Sequence, residues 1–336
     1  MTRTHRVLVV GAGSIGERHV RCFAAKGRAE LSVCEVNDTV RQAVAEEYAA
    51  APFADYETAL AARPDVVVVA TPAHLHVEMA TRAVEAGAHV LIEKPLGTTL
   101  DGVDALQQIV EARGTVLAVA YVSRCHPALA AMRAAIAAGT YGEPVEIVAT
   151  SGQHFPLYRP AYREIYYTDR ATGGGAVQDA LTHTINTGQW LVGPIDRLVA
   201  DLDHQVLEGV EVEDTVHVLA RHGSVMGSYS LNQHQAPNET TITVVCTAGT
   251  VRFESHKSRW RWMREPGGSW TDEPVDVPER DTLFLRQAGA MLDAVEHGER
   301  PLCSLCEARD TLRANLAILR SAERGTWQSL STEGET

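Results

Sequence analysis

The strongest constraint on this chain lies near its start. There an apolar run, Arg6 to Val10, meets Gly11-Ala12-Gly13-Ser14-Ile15-Gly16, and a helical pattern, Ile15 to Lys26, follows. Strand, glycine turn and helix in that order are the fingerprint of a dinucleotide-binding βαβ unit. Gly11 is expected to make the tight turn, Gly13 to let the backbone approach a pyrophosphate, and Gly16 to let the helix pack closely. Ser14 and Ile15 then open the helix whose N-terminus faces the anion. A glycine triplet alone is weak evidence. Here Glu35 follows Gly13 by 22 residues, near the end of the second apolar run, where a carboxylate accepts hydrogen bonds from the adenosine ribose and repels a 2′-phosphate. NAD is therefore the expected cofactor. NADP stays open, because Arg41 stands farther along the same segment.

The rest of the first third keeps the same alternation. Strand patterns at Arg6 to Val10, Leu31 to Val36, Asp65 to Ala70, His89 to Ile92 and Thr115 to Ala120 are separated by helical ones such as His74 to Ala86 and Gly102 to Arg113. This predicts an α/β fold whose N-terminal domain, residues 1–125, is a Rossmann doubly wound parallel sheet. Gly27, Gly87 and Gly114 stand where helix C-caps belong. Beyond residue 125 the pattern changes. A helix over Pro127 to Ala138 and a long polar and aromatic segment precede strand patterns at Leu198 to Val206, Thr215 to Ala220, Val225 to Leu231, Thr240 to Cys246 and Val251 to Ser255. Residues 126–336 are read as a C-terminal α+β domain with a largely antiparallel open sheet, closed by helices over Thr282 to His297 and Cys306 to Ala322, with a frayed tail from Ser331.

Charge and composition exclude several classes. A net charge of −13 repels polyanions, so nucleic acid is not an expected partner. The acidic surface hints at a cationic substrate such as an amino sugar, although surplus carboxylates usually serve solubility. No apolar run reaches the roughly 18–20 residues of a membrane helix, and the start reads as a first strand rather than a signal peptide. Cys22 and Cys34 fall in helical and strand patterns, as buried free thiols do, and the expected compartment is the cytoplasm. Cys303 and Cys306 form a C-x-x-C pair without a second Cys/His pair to complete a metal site. His74, His76 and His89 likewise lack a completing carboxylate or cysteine, so no metal is expected.

Three further motifs carry a family resemblance. Ala70-Thr71-Pro72-Ala73-His74-Leu75-His76 follows the third strand pattern, Glu93-Lys94-Pro95-Leu96 follows the next, and Gly173-Gly174-Gly175-Ala176-Val177-Gln178-Asp179-Ala180-Leu181-Thr182-His183 lies in the second domain. With the glycine turn, these resemble the glucose-fructose oxidoreductase, inositol dehydrogenase and rhizopine catabolism family, Gfo/Idh/MocA, over nearly the whole chain. On residue grounds alone, Lys94 sits just past a strand's carboxyl end, where α/β sheets bind ligands. Asp179 and His183 are four apart in a helical pattern that Asn186 and Trp190 continue, so a carboxylate and an imidazole share one face. The imidazole can then exchange a hydroxyl proton near neutral pH.

The resemblance implies His183 as acid/base, Asp179 as substrate or orienting ligand, and Lys94 polarising the same oxygen. It also implies Thr71, Pro72, His74, His76, Glu93 and Lys94 beside the cofactor. The family often has an aspartate where this chain has Asn186, which leaves a third charged contact open. The segment Gln153 to Arg163 is aromatic and basic and suits either a substrate or a neighbouring subunit; Tyr162 and Arg163 are its substrate candidates. Arg124, His126 and Pro127 match the family's Arg-x-His-Pro segment, read as cofactor or hinge support. Asn232, His234 and Gln235 suit either the cleft or a polar sheet face. The implied activity is hydride transfer between the nicotinamide and a hydroxyl-bearing carbon of a sugar, amino sugar, nucleotide sugar or cyclitol. The same resemblance leaves open a redox-neutral enzyme that retains NAD, and a non-enzymatic dinucleotide sensor. A homodimer or homotetramer is the assembly it implies.

Overall fold

Six short apolar runs build the first sheet: β1 (His5–Val10), β2 (Ala29–Cys34), β3 (Ala51–Phe53), β4 (Val66–Val69), β5 (His89–Ile92) and β6 (Leu117–Val119). In the computed structural model, which describes residues 4–276, 279 and 281–330, they lie in the order β3-β2-β1-β4-β5-β6, and every neighbouring pair is parallel. The valines of β4 are wholly buried, so both faces of the sheet are covered; burying one such side chain is worth roughly 1.5–3 kcal/mol. Register aligns Val10 with Cys34 and Val69, and Val69 with Ile92. Gly11, Glu35, Ala70 and Glu93 therefore leave the sheet at one level along its carboxyl edge. Between β1 and β4 the strand order reverses, which is where open α/β sheets bind ligands.

Two differences from the sequence pattern appear in this sheet. β2 ends at Cys34, and Val36 is 88% exposed, because pairing with β3 stops there. β3 itself, three residues at the sheet edge with a proline inside, is too short to show a period. Burial pushes the thiols of Cys22 and Cys34 up to about 11, which makes them neutral packing groups.

The molecule divides into two units, Met1–Cys125 with Pro278–Arg309 and His126–Val277 with Asp310–Thr336. The sequence pattern assigns everything past residue 125 to the second, but the helix Thr282–His297 belongs with the first. Its apolar side, Ala288, Met291 and Leu292, completes the core around Val20 and Phe23. Its polar side pairs Asp293 and Glu296 with Arg28, each at 2.8 Å.

The second unit holds a sheet of β7 (Pro144–Gly152), β8 (Arg197–Asp203), β9 (Thr215–His222), β10 (Val225–Asn232), β11 (Glu239–Cys246), β12 (Gly249–Glu254), β13 (Arg259–Met263), β14 (Thr271–Pro274) and β15 (Gln328–Ser329). Their order is β14-β13-β12-β11-β7-β10-β9-β8-β15. All pairs are antiparallel except β7 with β10, so the sheet is mixed and mostly antiparallel. One face packs Ile147, Val218, Tyr229 and Val244 against the helices Pro127–Ala137 and Thr182–Val192. β7 escapes the sequence pattern although it is central, because Glu146, Thr150 and Ser151 dilute its alternation. The expected fraying tail from Ser331 lies outside the described residues. No helix among the described residues is long and apolar enough to cross a membrane.

His222 fixes one end of this core. Its Nδ1 donates to Gly193 O at 2.7 Å and its Nε2 accepts from the Tyr229 hydroxyl at 2.8 Å. Burial holds the imidazole below its ordinary value of 6.5, so the neutral ring is the native form and the unfolded chain binds the proton more readily. This stabilisation is complete above about 6.5 and fades as pH falls through the depressed native value. Urea unfolding between pH 7 and pH 5 should show a falling midpoint, and His222→Gln should flatten that slope; an unchanged slope would contradict the assignment.

Candidate active site

The turn after β1 is shaped by two close approaches. Gly11 has φ +85°, and a Cβ there would lie 2.7 Å from Ala70 O. A Cβ on Gly16 would fall inside the van der Waals shell of Gly11 O, so the helix Ser14–Lys26 can start against β1 only with glycine. Gly13 is different. Its φ is −62°, which any residue adopts, and among the described residues nothing beyond its chain neighbours lies within 4 Å of where a Cβ would stand. Nothing in the protein requires glycine there, whereas a pyrophosphate brought close to the backbone would. Ser14 is exposed and Ile15 half-buried, and no side chain caps the helix, which leaves its first N–H groups and positive dipole end for an anion. The turn therefore fits the dinucleotide.

Glu35 serves the turn as well as facing outward. Its Oε2 accepts from Ala12 N at 2.8 Å and its Oε1 from Asn37 N at 2.9 Å, so the half-exposed carboxylate is held in place with lone pairs to spare. Arg41 folds back: Nη1 donates to Glu35 O at 2.6 Å, and Nη2 pairs with Asp38.

Along the same edge, Thr71 is half-buried, Pro72 and His74 are exposed, and Lys94 is half-buried. His76 and Glu93, expected beside the cofactor, are instead turned inward. His76 is buried, with Nδ1 2.8 Å from Pro95 O and Nε2 2.8 Å from Thr71 O. Both neighbours are acceptors, so a neutral ring can donate to one of them at a time, and burial draws its pKa below the ordinary value. Glu93 is buried against His19, whose Nε2 donates to Oε1 at 2.7 Å, and its Oε2 accepts from Lys94 N at 3.0 Å. Burial disfavours this carboxylate, yet its partners hold it below the usual range. These two residues act on Lys94 through its backbone: Glu93 holds one side of it, and His76 holds Pro95, joined to Lys94 by a cis peptide.

In the second unit the equivalent anchor is Glu213, which the sequence pattern does not single out. Its carboxylate is wholly buried, paired with Arg170 Nε at 2.7 Å, and accepts from Val177 N at 3.1 Å while Glu213 O accepts from Ala176 N at 2.9 Å. Gly175, at φ +85°, passes so near that a Cβ would meet Glu213 Oε2 at 2.7 Å. The adjacent Asp214 fixes this segment. Burial opposes its ionisation, but the N–H groups of Leu207, Val206 and Gln205 and the Thr215 hydroxyl hold its carboxyl below the usual range.

From this anchor the chain enters a π-helical turn, Val177–Leu181, and then the helix Thr182–Val192. Within residues 176–188 only Asp179, Ala180 and His183 are half-exposed and the others are buried. Asn186 does not share that exposure. The wide turn shifts the helical phase, and Asn186 is buried, donating to Thr311 Oγ1 at 2.9 Å. Tyr166, another residue absent from the sequence expectations, donates its hydroxyl to Asp179 Oδ1 at 2.6 Å.

The aromatic loop behaves differently from expectation. Tyr162 is 2% exposed, packs with Phe155, Tyr167, Leu207, Val210 and Val212, and donates to Glu208 O at 2.7 Å. It is a core residue with no face left for a substrate. Arg163 lies over the Tyr162 ring, and its Nε donates to Glu208 O at 2.8 Å, which makes it a brace of the same loop. Arg124 is likewise structural, with Nη1 donating to Leu302 O at 2.8 Å and Glu307 Oε1 at 2.7 Å. His126 caps the helix Pro127–Ala137. Asn232, His234 and Gln235 knit the turn after β10, where Asn232 Oδ1 accepts from both following N–H groups. Cys303 is buried and Cys306 exposed, and the described residues hold no group of three His, Cys, Asp or Glu placed for a metal ion.

Comparison with known proteins agrees with this geometry. Residues 5–121 match the oxidoreductase family with an NAD-binding Rossmann fold, and residues 129–252 match the GFO/IDH/MocA C-terminal domain. The chain is 32% identical over 302 residues to rhizopine catabolism protein MocA of Rhizobium meliloti, covering 87% of this chain and 86% of that one. It superposes on levoglucosan dehydrogenase in complex with NADH and levoglucosan with a TM-score of 0.89 at 22% identity, over 98% and 100% of the two chains. With the WlbA dehydrogenase of Bordetella pertussis, in complex with NADH and UDP-GlcNAcA, the TM-score is 0.83 at 26% identity, over 98% and 99%. The protein is thus an oxidoreductase with an NAD-binding Rossmann domain. It belongs to the Gfo/Idh/MocA family.

The glycine geometry separates folding from cofactor binding. Gly13→Val should leave the thermal midpoint within a few degrees and weaken NADH, measured by fluorescence titration, by at least about tenfold. Gly16→Ala should instead destabilise the fold itself. Equal NADH affinity in the Gly13 variant would contradict the pyrophosphate assignment.

Proposed function

We propose that the protein is a reversible NAD-dependent dehydrogenase of a sugar, amino sugar, nucleotide sugar or cyclitol. The observation that carries this reading is that Asp179 and His183 are both half-exposed in a stretch, residues 176–188, that is otherwise buried except at Ala180. A hydroxyl proton must leave as hydride leaves the carbon, and an imidazole flanked by a carboxylate is suited to take it. When bound, the nicotinamide supplies the hydride acceptor or donor.

The residues divide the work. The turn Gly11 to Gly16, with Ser14 and Ile15 at the helix start, holds the pyrophosphate, and Glu35 holds the adenosine ribose. Thr71, Pro72 and His74 border the cofactor, while Glu93 and His76 set the backbone around Lys94. Lys94 donates to the substrate oxygen and stabilises the charge that grows there. His183 takes the hydroxyl proton and returns it in the reverse direction, and Asp179 orients the same hydroxyl. The relatives' ligands, levoglucosan and UDP-GlcNAcA, are both carbohydrates and support the substrate class. Arg41 is committed to Asp38 and the Glu35 carbonyl, which supports NAD over NADP. Homodimers or homotetramers are the proposed assembly, supported by Leu219 and Met226, which stand exposed on the outer sheet face.

The test is nicotinamide absorbance with inositols, aldoses, nucleotide sugars and aminoglycoside fragments. On the substrate so found, Lys94→Ala and His183→Ala should each lower turnover about a hundredfold or more. Turnover within about tenfold of the wild type in either variant would contradict the assigned roles.

A further inference from the structure

Two arginines meet on the second sheet where strand pairing ordinarily avoids it. Arg197 on β8 and Arg221 on β9 stand directly opposite in register, and like charges so placed repel. The next pair in that register, Leu198 with Ala220, belongs to the core, so alternation puts both arginines on the outer face, away from the helix Thr182–Val192. Elsewhere acids take up such charges: Asp293 and Glu296 meet Arg28, and Glu254 and Asp272 meet Arg259. Among the described residues no carboxylate lies within ion-pair distance of Arg197 or Arg221, although acids outnumber Lys plus Arg by 43 to 30 in the chain.

The two side chains open on a hollow of about 440 Å³, whose other lining residues are Asp196, Gly223 and Ser329. That volume falls within the roughly 300–1,000 Å³ of small-ligand sites. Asp196 is the one acid of the lining, and its Oδ2 accepts from Gly223 N at the turn between β9 and β10. Two guanidiniums against one engaged carboxylate leave the lining net positive. Arg197 is also steadied by Trp327, its guanidinium carbon 5.3 Å from the ring centre, which lowers the ordering cost of binding.

We propose that Arg197 and Arg221 form a binding site for a phosphate-class oxyanion, either inorganic phosphate or the phosphoryl group of a phosphate monoester. Guanidinium forks match phosphate oxygens two at a time. A tetrahedral anion offers enough oxygens for both forks, and its charge removes the repulsion between them. This inference does not depend on the dehydrogenase reading, because the arginines lie on the opposite sheet face from the helix that carries His183.

The experiment titrates the full chain with inorganic phosphate by calorimetry, with phenyl phosphate as the ester, and follows the thermal midpoint in parallel. Saturable binding of one anion per chain below about 10 mM is expected, and Arg197→Gln and Arg221→Gln should each weaken it roughly tenfold or more. Arg113→Gln, at an exposed arginine that ends its helix, should bind as the wild type does. Without phosphate, Arg221→Gln should melt no lower than the wild type, since it removes a repulsion; phosphate should then raise the wild-type midpoint more than that of the variant. The tighter of the two probes identifies the source of the phosphoryl group. Absence of saturable binding by either probe overturns the proposal, and so does equal affinity in the two site variants. Equal affinity with an altered oligomeric state, by light scattering, assigns the arginines to a contact between copies instead.

Discussion

The contact on which the first unit depends is a missing methyl group. The helix Ser14–Lys26 starts directly against the end of β1 because Gly16 has no Cβ to strike the Gly11 carbonyl. From that contact follow the short turn, the outward direction of the helix N-terminus and the open space before Gly13. The parallel register then sets the ends of β2, β4 and β5 level with the same turn. This edge brings together a helix N-terminus, a held carboxylate at Glu35 and the backbone of Lys94.

Each unit also fixes the backbone beside its proposed site residues by means of a buried acid. In the first, Glu93 joins His19 to the backbone of Lys94. In the second, Glu213 joins Arg170 to the N–H of Val177, just before the turn that carries Asp179. A buried carboxylate is costly unless its lone pairs are filled, and here the groups that fill them are the segments needing to be fixed. The π-helical turn adds a second effect: its extra width leaves Asp179 and His183 half-exposed while turning Asn186 into the core. The two polar residues nearest the proposed chemistry and the one that departs from the family pattern are therefore separated by helical phase.

Much of this was legible in the sequence, for identifiable reasons. The glycine spacing, the acid after the second strand and the Glu-Lys-Pro and Gly-Gly-Gly motifs are local patterns with local causes, so five of the six strands of the Rossmann sheet could be read directly. What failed depended on partners far along the chain. β7 is central, but its polar residues mask the alternation until β10 and β11 are seen beside it. Tyr162 reads as a loop aromatic, and only Leu207, Val210 and Val212 reveal it as core. Glu213 sits in an acidic stretch, Glu211 to Asp214, whose letters do not say which carboxylate is buried. The helix Thr282–His297 was visible as a helix, but its ion pairs with Arg28 were needed to show which sheet it serves.

The central claim is direct hydride transfer between a carbohydrate or cyclitol carbon and the nicotinamide. It is tested most directly by following the hydrogen itself. The protein is given NAD and its oxidisable sugar or cyclitol deuterated at the carbinol carbon, and the reduced cofactor is analysed by mass spectrometry. One deuterium per NADH, on the nicotinamide ring, is the predicted result. NADH that carries only protium, with the label released to water, would contradict the account.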